Sequence, residues 1–113
     1  MSLPIDPKQI LEMARDFQRR IAQMKADLGR MRVEADAGAG MVRVVANGLG
    51  EVLEVKIDPS AAGEGDVSML EDLVKAAVNE VLRRAKSLAE EEQRKLTGGI
   101  SLPMNLSGLG GTF

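Results

Sequence analysis

With 113 residues and neither cysteine nor histidine, the chain can form no disulfide and offers no thiolate or imidazole for metal binding, nucleophilic attack or proton transfer. Only two of its residues are aromatic although 44% are hydrophobic, so one core of aliphatic and Met side chains is expected, and a domain this small without staples often gains burial by self-association. The net charge of −2 speaks against a nucleic-acid partner only if the charge is spread evenly.

Met1-Ser2-Leu3-Pro4-Ile5-Asp6-Pro7 has no charged leader followed by an apolar run, and no stretch approaches the roughly 18 apolar residues that span a bilayer. A soluble cytoplasmic protein without a membrane partner is therefore expected. Asp6-Pro7-Lys8-Gln9 combines a capping side chain, a proline suited to the first helical position and a Gln spaced to complete a capping box. From there Ile10, Ala14, Phe17, Ile21, Met24, Leu28 and Met31 alternate steps of four and three, which predicts a helix over 7–31 with one narrow apolar seam in coiled-coil spacing. At 1.5 Å per residue that helix is about 35 Å long, so part of it should project or pair.

A first strand over 32–36, a Gly38-Ala39-Gly40 turn and a second strand over 41–46 follow from alternation and β-branched residues. Asn47-Gly48-Leu49-Gly50 is a hairpin signal through residues that tolerate positive φ, and the third strand over 51–57 carries Leu53, Val55 and Ile57 on one face. Asp58, a turn residue, and Pro59 end it, and residues 60–66 read as a surface loop. Ser68-Met69-Leu70-Glu71 reads as a capping box for a second long helix whose apolar repeat runs from Leu70 through Ala89 and stops at Gly98-Gly99. The order is α+β: long helix, three-stranded antiparallel sheet, long helix. Residues 1–99 form one domain and residues 100–113 a flexible Gly-rich tail.

The charge is uneven. Residues 7–32 hold seven cations, Lys8, Arg15, Arg19, Arg20, Lys25, Arg30 and Arg32, against three acids; residues 33–66 hold two cations against seven acids; residues 67–113 balance. Arg94 and Lys95 lie near the end of the second helix, where cations also suit the helix dipole. The basic first helix could replace phosphate counterions, but charge alone fits the solvated face of a coiled coil equally well. With no Tyr or Trp, base stacking is poorly served, and Phe17 sits on the seam as a core residue. Gly38-Ala39-Gly40 precedes a strand and Gly98-Gly99 follows a helix, so neither cradles a phosphate.

Several segments resemble the YbaB/EbfC family of nucleoid-associated proteins: Gly38-Ala39-Gly40 leading into Val42-Arg43-Val44, Asn47-Gly48-Leu49-Gly50-Glu51-Val52, Val55-Lys56-Ile57-Asp58-Pro59, Met69-Leu70-Glu71-Asp72-Leu73-Val74 with Ala76-Ala77 and Asn79, and Leu96-Thr97-Gly98-Gly99 with Leu102-Pro103. The resemblance covers nearly the whole chain and implies homodimers in which paired sheets form a body and long helices protrude. It also implies binding of double-stranded DNA with little sequence preference, in the nucleoid. The expected function is thus a DNA-binding, architectural or regulatory protein gripping the duplex backbone. Its candidate contacts, drawn from the charge map, are Lys8, Arg15, Arg19, Arg20, Lys25, Arg30, Arg32, Arg94 and Lys95. No enzymatic activity, cofactor, metal or small-molecule substrate is expected. The alternative is a coiled-coil protein-interaction module whose seam docks a partner and whose charge serves solubility.

Overall fold

In the computed structural model, which describes residues 6–62 and 66–98, the Asp6 carboxylate caps the first helix by accepting from the Lys8 amide at 3.0 Å. Helix α1 spans Pro7–Arg30 and feeds strands β1 (Arg32–Ala37), β2 (Val42–Asn47) and β3 (Val52–Ile57). These form an antiparallel sheet in the order β1-β2-β3. A single helical turn, α2, at Pro59–Ala62 precedes helix α3, Val67–Leu96. The helix–sheet–helix order is therefore as expected, and the expected flexible tail lies outside the described residues.

Two expectations outside the strands are corrected. The loop expected over 60–66 begins with α2, which Asp58 caps by accepting from both the amide and the hydroxyl of Ser60. Ala61 is buried there, so a four-residue turn too short for periodicity is fixed by packing. The cap of α3 is Asp66, accepting from the Met69 amide at 3.0 Å, and not Ser68, which lies inside the helix. In the β2–β3 turn the positive φ expected of the Asn47-Gly48-Leu49-Gly50 segment falls on Gly50, at 83°. Asn47 is buried and organises the turn. Its Oδ1 accepts from the amides of Leu49 and Glu51, and its Nδ2 donates to Glu51.

The α3-facing row of the sheet pairs Val33 with Ala46, Ala35 with Val44 and Ala37 with Val42. It continues across β2 to Val52, Val55 and Ile57. A bulge sets Leu53 outside the ladder, so Val52 takes the row position expected for Leu53. Onto β1 and β2 packs the apolar stripe of α3, with Ala77 and Val81 fully buried against Ala35, Val42, Val44 and Ala46. Full burial of a side chain such as Val81 stabilises by about 1.5–3 kcal/mol. Helix α3 then runs past the sheet, and Leu88, Ala89 and Leu96 meet Met24 and Leu28 of α1 and Met31 at its C-terminal cap, with Leu49 of the turn closing the cluster. Because α1 runs toward the sheet and α3 away from it, the two helices are antiparallel over this stretch and the N-terminal half of α1 continues beyond the end of α3. The radius of gyration, 20.0 Å, exceeds the roughly 13 Å of a compact chain of this length.

Candidate nucleic-acid interface

Helix periodicity sorts the α1 cations by face. The seam that meets α3 holds Met24 and Leu28. Lys8, Arg15, Arg19 and Arg30 are separated by seven, four and eleven residues, close to two, one and three turns, so they line the opposite face. All four are exposed, and from Lys8 to Arg30 the stripe runs about 33 Å at 1.5 Å per residue. Arg20 lies to one side of it. Lys25 is half-buried at the margin of the seam, and Arg32 is exposed at the start of β1.

Acids temper this stripe without cancelling it. Asp16 is shared by Arg20, at 3.1 Å, and Arg19, at 3.7 Å, so one carboxylate serves two guanidinium groups. Asp27 accepts from Arg30 and from the Gln23 amide. These pairs are exposed, where an ion pair contributes about 0–1 kcal/mol, and an arriving phosphate can exchange with the carboxylate at little cost. Among the described residues Lys8, Arg15 and Arg32 hold no ion pair.

The two cations near the end of α3 are placed differently. Lys95 pairs with Glu92 at 3.2 Å. Arg94 lines a shallow surface hollow with Arg83, Arg84, Glu80 and Glu91, which interleaves the signs. The structure groups Arg94 with these α3 side chains rather than with the α1 stripe. Arg83 and Arg84 are not among the candidate contacts, but Glu80 accepts from both, and the two hydrogen bonds, Arg83's first, hold its carboxyl below the ordinary glutamate range. Arg84 also donates to the Glu34 carbonyl of edge strand β1. The spacing of Glu80 to Arg83 and Arg84, three and four residues, is the signal that carries this cluster. The Asp58 carboxyl is likewise lowered, by the Ser60 amide and then the Ser60 hydroxyl, in keeping with a turn residue.

A second surface feature is apolar. Helix α3 does not cover β3, whose Val52, Val55 and Ile57 remain 42%, 45% and 40% exposed. A groove beside Ile57 continues this surface along Val67, Leu70, Val74 and Val78 of α3. The alternation in β3 indicates an apolar face but not what covers it. Among the described residues no cluster of three acids could hold a metal ion, and no helix is long and apolar enough to cross a membrane.

Comparison with known proteins gives a consistent result. The model of the YbaB/EbfC DNA-binding family matches residues 4–100. A nucleoid-associated protein of Desulfotalea psychrophila is 41% identical over 88% of this chain and 93% of its own length. Another, of Syntrophobacter fumaroxidans, is 42% identical over 91% of each chain. The crystal structure of an uncharacterized protein from Helicobacter pylori superposes with a TM-score of 0.66 at 23% identity, covering 83% of this chain and 95% of that one, which establishes likeness of fold.

Proposed function

Because the chain belongs to the YbaB/EbfC DNA-binding family, we propose that it is a nucleoid-associated protein of the bacterial cytoplasm, without enzymatic activity, that binds duplex DNA through the phosphate backbone with low sequence preference. The observation that carries this reading is the exposed face of Lys8, Arg15, Arg19 and Arg30 on a helix whose opposite side holds Met24 and Leu28 against α3. Its length, about 33 Å, is comparable to one turn of B-DNA, about 34 Å. Arg20, Lys25 and Arg32 flank the stripe, and Arg94 and Lys95 serve as secondary contacts at the end of α3. Side chains of this type reach phosphates and carry no base code by themselves.

The working unit is a homodimer, with a second copy covering β3 and the adjacent side of α3. The asymmetry of the two sheet edges supports this. On β1 the Arg84 guanidinium takes up the Glu34 carbonyl, and charged Arg32, Glu34 and Asp36 alternate along the strand. Such devices deter edge pairing. The β3 side carries the exposed Val52, Val55 and Ile57 row instead. Two copies bring two basic arms to one ligand, which raises avidity without new contacts.

Fluorescence anisotropy with two duplexes of unrelated sequence across a salt series tests the function. Similar affinities that fall steeply with salt are expected; absence of binding at low salt, or affinity indifferent to salt, overturns it.

A further inference from the structure

Helical phase gives the basic face of α1 two unlike flanks. At about 100° per residue, counted from Lys8, Arg15, Arg19 and Arg30 fall at roughly −20°, 20° and 40°. The three acids of the helix, Glu12, Asp16 and Asp27, all lie toward one margin, at roughly 40°, 80° and 100°. The other margin holds Leu11, Gln18 and Ala22, at roughly −60°, −80° and −40°, and all three are exposed. A phosphate backbone is repelled by the first flank and meets no carboxylate of α1 on the second.

Leu11 is the unusual member of that second flank. It is 51% exposed, it does not belong to the four-three seam, and it stands three residues after Lys8 and four before Arg15, the spacings at which side chains adjoin on a helix. The other large exposed apolar residues described on α1, Ile10 and Met13, fall at roughly 200° and 140°, on the seam side. Lys8 and Arg15 hold no ion pair among the described residues. They stand about 10.5 Å apart along the helix axis with Leu11 between them. The minor groove of B-DNA is about 6 Å wide between its two phosphate walls, so two long cationic side chains at this separation can take one wall each.

Resting on the duplex-binding function proposed above, we propose that the duplex lies against the Leu11 flank of α1 and that Leu11 enters the minor groove as an apolar wedge, with Lys8 and Arg15 on the phosphates to either side. An apolar side chain placed there parts neighbouring base pairs and kinks the duplex by about 20–90° toward the major groove. Pyrimidine–purine steps yield most easily. The wedge parts bases without reading their edges, in keeping with low sequence preference. The cations supply salt-dependent affinity and Leu11 supplies the change of shape, so the two contributions separate by experiment.

The test uses the full chain and a duplex of about 20 base pairs with one central TA step. One preparation carries a donor and an acceptor fluorophore at its ends to report bending; another carries 2-aminopurine at the adenine of that step to report unstacking. Saturating wild type should raise energy transfer in the first and brighten the second. Leu11→Ala, which suits a helix and keeps both cations, should lose at least about half of both changes while its log–log salt slope stays that of wild type. Leu11→Met, an apolar side chain of similar volume, should retain both changes. Wild type that binds but leaves the duplex straight and stacked, or Leu11→Ala that bends it as fully as wild type, overturns the wedge and leaves the duplex-binding function standing. Wild type that fails to bind at low salt overturns both.

Discussion

The amide of Gly48 donates to the carbonyl of Leu28 at 2.8 Å, tying the β2–β3 turn to the last turn of α1. Leu28 is fully buried, and a Cβ at Gly48 would stand 2.7 Å from its Cδ2 and 2.9 Å from its carbonyl oxygen. The contact fixes where the basic helix leaves the sheet, and only glycine permits it. Gly48→Ala is expected to cost about 1–3 kcal/mol, read as a lowered midpoint of denaturant unfolding. Unchanged stability would mean that the turn shifts away without consequence and does not anchor the arm.

Ala39 occupies the left-handed region at φ 55°, between Gly38 at 65° and Gly40 at 91°. A side chain there costs about 1–2 kcal/mol, partly offset by the extra freedom glycine gains in the unfolded chain. Ala39→Gly should therefore stabilise the β1–β2 hairpin by about 0.5–1 kcal/mol, measured by thermal unfolding. A destabilised variant would count against strain at this position.

Glu80 bonds both Arg83 and Arg84, and its carboxyl is held below its ordinary range chiefly by the Arg83 hydrogen bond, then by that of Arg84. A depressed carboxylate contributes stability that is fully present above the ordinary glutamate range, near 4.3, and is lost as pH falls through its lowered value. The difference in thermal midpoint between wild type and Glu80→Gln should thus be constant near neutrality and narrow in acid. A gap that stays constant or widens through the acid range would contradict this.

Val55 and Ile57 lie on the exposed row of β3, opposite Val44 and Val42. Val55→Lys with Ile57→Lys should leave the α3-covered core folded, since α3 packs on β1 and β2. Sedimentation should show at least about a tenfold weaker dimer, corresponding to about 1.4 kcal/mol. Undiminished self-association would move the dimer interface elsewhere, and loss of circular dichroism would show that the row supports the single chain instead.

The long elements were legible because independent signals coincide: Asp6-Pro7 and the four-three spacing for α1, alternation and glycine turns for the strands, the apolar repeat and Gly98 for α3. Short-range choices were not. Asp66 and Ser68 are both good caps two residues apart, residue type does not rank them, and the chain uses Asp66. Pro59–Ala62 is too short to show a period. Alternation over β3 reads the same with or without the bulge at Leu53. The basic region was visible as a count, but counting ignores helical phase. Phase separates Lys8, Arg15, Arg19 and Arg30 on one face from Lys25 beside the seam. The hollow that holds Glu80, Arg83, Arg84, Glu91 and Arg94 of α3 also takes in Val33 of β1, which only the folded chain brings beside them.

The central claim is that the outer face of α1 meets phosphate. It is tested most directly by comparing wild type with the variant Lys8→Gln, Arg15→Gln, Arg19→Gln, Arg30→Gln for the salt dependence of binding to one duplex. None of the four side chains is buried, so the fold should be unchanged. The expected result is weaker binding and a shallower log–log salt slope, by about 0.9 for each phosphate that the variant leaves unneutralised. An unaltered slope with unaltered affinity would contradict it.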